Sequence, residues 1–280
     1  MSVPVVEILA IGNEVLAGDV LDTNSHWLCR ELVGRGARVT RITVLPDDPA
    51  AIAEVLLAAR ARGPALIVTC GGLGPTADDL TVAAIAGALG QPLHEHPLAY
   101  TMIQGFYAEL HARGDVTTAD MSPARAKMAQ MPRSAKPLTN TVGAAPGILL
   151  QDEGTLIVSL PGVPAEMKDI FTHALSPWLD AAFHSLAYAE RTVTTDCWDE
   201  SILAPAVDAV ARRHPAVYVK SRAQVYGSGI ADFITLAARG RDTAEVTRLL
   251  DAAEADTLAA LDALGIRAGA AGAEGASDER

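Results

Sequence analysis

Residues 65–81 read Ala-Leu-Ile-Val-Thr-Cys-Gly-Gly-Leu-Gly-Pro-Thr-Ala-Asp-Asp-Leu-Thr, and the fold turns on how this stretch is read. Ala65 to Val68 is a compact apolar run, partly β-branched and stopped by glycines, so it reads as a buried strand. Gly71, Gly72 and Gly74 let the backbone turn with positive φ and approach a ligand closely. Thr76 and Asp79 have capping-box spacing, which predicts a helix continuing through Leu80–Ile85 to Gly90. A strand, a glycine turn and a helix N-terminus make an anion site, because free amides and the helix dipole both favour phosphate. Asp78 and Asp79 would repel a bare phosphate. A divalent cation between carboxylate and phosphate removes that conflict. Taken singly, Asp79 also fits a capping acid and the glycines an ordinary loop; the added Pro-Thr-x-Asp-Asp shifts the balance toward a site.

The flanking chain repeats the pattern. Val5–Ile11 is an apolar strand broken only by Glu7. It leads through Gly12-Asn13-Glu14 to Asn24, the expected N-cap of a helix ending near Val33. Arg38–Leu45 is the second strand, and Asp48-Pro49 opens the next helix, which runs to Gly63. Strand and helix alternate, so the expected class is α/β, with a largely parallel sheet covered by helices on both faces. Ligands of such sheets lie beyond the carboxyl ends of the strands, where these loops emerge. His94–Pro132 reads as helical, with a second short helix capped by Ser122 and Pro123. Pro146–Gln151 and Thr155–Leu160 read as strands joined by a hairpin-like turn. Pro161-Gly162-Val163-Pro164 then opens a long helix in which Pro177 marks a kink or break. From residue 188 the order becomes β-α-β-β-α, a small α+β unit of ferredoxin-like or KH type, through residue 267. Residues 268–280 are small and polar and are expected to form a disordered tail.

Of the 280 residues, 50% are hydrophobic and 20% charged, a globular composition with length for one large and one smaller domain. A net charge of −12 disfavours loose binding to nucleic acid or anionic lipid. Cys29, Cys70 and Cys197 are scattered, which reads as reduced thiols serving as small buried hydrophobes. The N-terminus lacks a basic leader, and no run approaches the roughly 20 apolar residues of a membrane span, so a cytoplasmic location is expected.

Gly-Gly-Leu-Gly-Pro-Thr-x-Asp-Asp-Leu-Thr resembles the signature of the CinA (competence/damage-inducible) family. So do Gly12-Asn13-Glu14-x-Leu16-x-Gly18, Asp22-Thr23-Asn24, Asn140-x-x-Gly143-x-Ala145-Pro146-Gly147 and Pro161-Gly162-Val163-Pro164-x-Glu166-Met167. The resemblance spans roughly residues 4–185. It implies a three-layer α/β/α domain of the molybdopterin-binding type over residues 1–187, with a pocket for a phosphate-bearing pterin or nucleotide. It further implies metal-dependent ADP-ribose pyrophosphatase activity, or, alternatively, non-hydrolysing binding of molybdopterin or a related cofactor. The implied ligand contacts fall on Gly71, Gly72, Gly74, Thr76, Asn140, Gly143, Gly147, Pro161 and Gly162. Asp79 fits the acidic metal position and, with Glu14, is the catalytic expectation; Asp47 joins Asp79 as a metal ligand. The cation expected is Mg, Mn or Co, with potassium as a further ion.

Asp22, Asp47 and Asp48 also suit cap or turn chemistry, and Lys127 and Lys168 also suit a solvated helix face. The chain departs from the family at Arg125-Ala126-Lys127-Met128-Ala129, where Asn-x-Lys-Gln-Ala is common, which removes amides from any base or ribose contact there. The nicotinamide mononucleotide deamidase domain that often follows in the family is not matched, so that activity is not expected. Between residues 190 and 265, eight Lys/Arg stand against twelve Asp/Glu, and Gly227-Ser228-Gly229 is not a Gly-x-x-Gly clamp. No nucleic-acid partner is therefore expected, and a homodimer contact is the expected role of this unit.

Overall fold

The computed structural model describes residues 3–183, 187–226 and 229–270. They divide into two compact units, the first ending at Phe183 and the second beginning at Ala187.

The first unit opens with β1 (Val5–Ile11), a short turn α1 (Asn13–Leu16), α2 (Thr23–Gly34), β2 (Arg38–Leu45), α3 (Pro49–Ala61), β3 (Leu66–Cys70) and α4 (Thr81–Ala88). It continues with β4 (Leu93–Glu95), α5 (Pro97–Arg113), α6 (Pro123–Lys127), β5 (Gln130–Pro132) and β6 (Lys136–Leu138). β7 (Gly147–Asp152), β8 (Thr155–Leu160), α7 (Pro164–Asp169), a π-helical turn at Ile170–Leu175 and α8 (Ser176–Phe183) complete it.

The six-stranded sheet runs β2-β1-β3-β8-β7-β6. β2, β1, β3 and β8 are parallel, and β7 and β6 join antiparallel at one side. Strands buried on both faces are nearly continuous apolar runs, and β3 is buried at every residue, with Thr69 its one polar side chain. Its alternate side chains feed two cores. Ile67 joins Leu9, Ile52, Leu56 and Ile103 on one face. Val68 joins Ile8, Leu28, Leu32 and Phe171 on the other. The result is the three-layer α/β/α arrangement expected from the alternating pattern.

Glu7, the one acid in β1, is 2% exposed, and its carboxylate receives two bonds from Arg62, Nε to Oε1 at 2.7 Å and Nη2 to Oε2 at 2.6 Å. Burial of the charge is possible because the guanidinium fork satisfies both oxygens.

Several local expectations are corrected. α2 begins at Thr23 and is capped by Asp22, whose Oδ1 accepts the Ser25 amide at 2.9 Å; Asn24, already inside the helix, uses its side chain elsewhere. The segment read as helical over 94–132 contains α5 and α6 but also the two-stranded sheet of β4 and β5. The long helix after Pro164 changes to a π-turn before Pro177, which has no amide to donate back to the 173 carbonyl. The Ser176 hydroxyl bonds the Phe171 carbonyl at 2.9 Å in that turn. Cys70 is buried, whereas Cys29 and Cys197 are only half-buried.

The second unit comprises β9 (Ala187–Thr195), α9 (Glu200–Arg213), β10 (Val217–Tyr226), β11 (Gly229–Gly240), α10 (Thr243–Asp262) and β12 (Ala268–Ala270). Its antiparallel sheet runs β10-β11-β9-β12 and buries Val193, Ile234, Leu236, Leu203 and Leu250 in a core of its own. Ala268–Ala270, expected to begin the tail, instead pair with Val193–Thr195 of β9. Residues 271–280 of the expected tail, and Gly227 and Ser228 of the turn discussed above, lie outside the described residues.

Candidate functional site

Loops leaving the carboxyl ends of β1, β2, β3 and β8 converge on a cavity of about 490 Å³. Gly12 and Glu14 reach it from β1, Asp47 from β2, and Pro161 and Gly162 from β8. Gly71, Gly72, Leu73 and Gly74 follow β3 into it, with Asp78 and Asp79 behind them. Tyr107 of α5 and Met128 after α6 close another part of the wall.

The glycine loop is shaped by close backbone contacts. Gly71 has φ +110°, and a Cβ there would fall onto the Ile11 carbonyl oxygen. Its amide donates to the Leu160 carbonyl at 3.0 Å, which ties β3 to β8 at the cavity. The Thr81 hydroxyl donates to the Gly71 carbonyl at 2.8 Å from the first residue of α4.

The expected capping box is corrected here. Thr76 and Asp79 pair in a tight turn before α4, and the helix itself starts at Thr81 without a side-chain cap. Asp79 Oδ2 accepts the Thr76 amide at 2.8 Å and its hydroxyl at 2.6 Å. Asp79 Oδ1 accepts no hydrogen bond from the described residues. The Thr76 hydroxyl also lies 2.5 Å from Asp78, and this contact holds the Asp78 carboxyl below the usual carboxylate range.

Five carboxylates, Glu14, Asp47, Asp78, Asp79 and Glu166, line the cavity, and no Lys, Arg or His does so among the described residues. Asp47 Oδ2 accepts the Asn13 amide at 2.8 Å, which fixes the loop after β1 to the loop after β2. Asp48 caps α3 by accepting the Ala51 amide at 2.8 Å, and Asp22 caps α2, so these two acids do cap work. Lys127 bonds the Thr76 carbonyl and clamps α6 to the glycine loop, while Lys168 lies over the Trp27 ring. Among the described residues no three His, Cys, Asp or Glu side chains already converge on one ion position.

Four of the residues expected to contact the ligand, Thr76, Asn140, Gly143 and Gly147, do not line the cavity. The Asn140 side chain accepts the Val142 and Gly143 amides at 3.0 and 2.8 Å and donates to the Ala145 carbonyl at 2.8 Å. It thereby shapes the loop that sends Ala144 and Ala145 to the cavity. The same amide donates to Glu166 Oε2 at 2.6 Å, and Glu166 rests on the bare Cα of Gly143. Gly147 packs against Ile170 at the start of β7. Asn24, in turn, donates to the Gly162 carbonyl at 2.7 Å and to Cys70 Sγ at 3.3 Å. Cys70 Sγ meets the Pro161 carbonyl at 3.2 Å, and burial pushes its thiol up to about 12, so it packs and does not react.

Glu166, Tyr107 and Met128 are cavity residues that sequence reasoning did not assign. Glu166 had a signal, being the acid of the Pro161–Met167 run, whereas nothing in the sequence marked Tyr107. Burial pushes the Glu166 carboxyl above its ordinary value, partly offset by the Asn140 hydrogen bond.

A glycine loop at strand ends, rimmed with acids and backed by a three-layer α/β/α arrangement, is the frame of the molybdopterin-binding type of fold. The family described as "Probable molybdopterin binding domain" matches residues 7–181, and the chain belongs to it. A relative from Aeropyrum pernix is 43% identical over 78% of this chain and 78% of its own. Another, from Pyrococcus abyssi, is 38% identical over 74% of this chain and 81% of its own. A solved structure, the protein CinA with unknown function from Thermoplasma acidophilum, is 33% identical, with a TM-score of 0.56 over 65% of this chain and 98% of its own.

Proposed function

We propose that the cavity binds a phosphate-bearing nucleotide or pterin through a divalent cation, and that the chain is a metal-dependent nucleotide pyrophosphatase. The leading substrate is ADP-ribose, and the products are AMP and ribose 5-phosphate. The observation that carries this reading is the five-carboxylate lining without a cationic side chain. Such a lining repels a bare diphosphate and suits a hard cation that takes one or two carboxylates and completes its sphere with phosphate oxygens and water. Asp79, through its open Oδ1, and Asp47 would hold the cation, which supplies charge neutralisation and an acidified water. The glycine loop would let a phosphate approach its backbone closely without adding charge. Glu14 closes the rim above Gly12. Glu166, its carboxylate made a stronger base by burial, takes the proton from the attacking water at Oε1. The water oxygen bonds to one phosphorus, and the bridging P–O bond breaks with its electron pair going to the departing phosphate.

Asp79→Asn and Thr76→Ala separate a ligand role from a loop role. Thr76→Ala removes the hydroxyl contacts and should cost about 1 kcal/mol of stability while metal-dependent AMP release persists. Asp79→Asn should lower AMP release by about 100-fold or more, with partial recovery at high Mn or Mg. Equal stability losses and an unchanged metal response in both variants would overturn the ligand role. The family's description favours a second reading, a molybdopterin or cofactor binder without hydrolysis. Metal-dependent ligand binding with no AMP release from ADP-ribose would decide for it.

A further inference from the structure

Part of the apolar cavity wall comes from the α5–α6 excursion, which the phosphate chemistry leaves unused. Tyr107 and Met128 line it, with Leu73 and Ala145 nearby in the same lining. Tyr107 is not free to tumble. The Arg125 guanidinium lies 3.7 Å from its ring centroid, covering one face, and Phe106 meets it edge-on at 5.7 Å. Arg125 is itself fixed, because its Nη1 donates to the Thr118 carbonyl at 2.9 Å and the Asp120 carbonyl at 2.7 Å. The Tyr107 hydroxyl makes no hydrogen bond among the described residues, so the ring is what this residue offers.

From this geometry we infer that Tyr107, backed by Arg125, is the stacking platform for the planar nitrogen heterocycle of the phosphate-bearing ligand. Tyr107 packs against the core of its layer and still lines the cavity, so a ring held in place by Arg125 would meet a ligand at little entropic cost. Every purine or pterin has a flat π-face, and stacking on an aromatic side chain needs no hydrogen-bond match. A platform of this kind also suits an acidic cavity, since a neutral ring adds affinity where carboxylates cannot. The inference rests on the phosphate-site reading above, yet it concerns a different part of the ligand.

The test measures calorimetric binding, with Mn present, of inorganic pyrophosphate, ADP and 6-hydroxymethylpterin diphosphate. Wild type should bind at least one ring-bearing diphosphate more tightly than pyrophosphate, and the arm that gains more names the ring. Tyr107→Leu keeps apolar bulk and should erase that advantage, a loss of about 5- to 100-fold, while pyrophosphate binding stays constant. Tyr107→Phe should retain it, and Arg125→Ala should lose part of it. Thermal melts of each variant check folding. Equal weakening of pyrophosphate and ring-bearing ligands in Tyr107→Leu would overturn the platform, as would a wild type that prefers neither ring. Failure of the phosphate-site reading looks different: pyrophosphate does not bind wild type, with or without Mn. ADP or pterin binding that still falls in Tyr107→Leu would then leave the platform standing, and its absence would remove it.

Discussion

Glu166 and Asp169 stand three residues apart in α7 and hold their charges in opposite ways. Burial raises Glu166, which has only the Asn140 amide to favour its charged form. Burial also works against the Asp169 charge, but the Thr141 amide and hydroxyl and His173 outweigh it and hold the carboxyl low. The same desolvation therefore gives two outcomes, decided by the number of donors. The sign for stability follows. A carboxyl raised in the folded state contributes stability below its ordinary range, near pH 4, and that contribution is lost as pH rises through the raised value. Glu166→Gln keeps an acceptor for Asn140 and has no such loss. Its melting temperature should gain on wild type as pH rises from about 4. Parallel melting profiles over that rise would show that Glu166 titrates as an ordinary surface acid.

At the scale of elements, Glu7 tests what holds β1 in the sheet. It occupies a central parallel strand, where a polar side chain survives only if fully paired. Arg62, just past α3, is its partner and ties the helix layer to the strand. Arg62→Met would strand the carboxylate and should cost about 3 kcal/mol, toward the low end for a broken buried pair because Arg62 remains partly exposed. Adding Glu7→Leu should recover most of the loss. Urea unfolding of the two variants makes the comparison, and a double variant as unstable as the single would show that packing, not charge, sets the cost. The short elements escaped sequence reading for a related reason. β4, β5 and β6 have three residues each, too few to show a period, and each exists only because its partner strand lies alongside.

At the scale of the whole molecule, the two units have separate cores. Leu250, 1% exposed in α10, belongs to the second. Leu250→Ala should destabilise residues 187–270 by about 2–5 kcal/mol. Amide exchange in β9–β11 should then accelerate while metal-dependent phosphate binding by the first unit is unchanged; loss of that binding would couple the units. Among the described residues no helix is long and apolar enough to cross a membrane. The sequence by itself determined what local chemistry controls. Asp48-Pro49 and Ser122-Pro123 open helices where their caps require, and β2 and β8 occupy the spans that their patterns mark. It also marked the loops that bring Glu14, Asp47, Gly71, Gly72, Gly74, Asp79, Pro161 and Gly162 to one cavity, since parallel strands place their carboxyl ends together. Only the tertiary structure decided which partner each polar side chain took. Asn24 gave up the expected cap for Gly162, 138 residues away, and Asn140 found Glu166 across 26. Tyr107 lines the cavity with Arg125 lying over its ring. Caps and periods are set by residues a turn apart, whereas burial and pairing depend on chain segments that meet only once the sheet has formed.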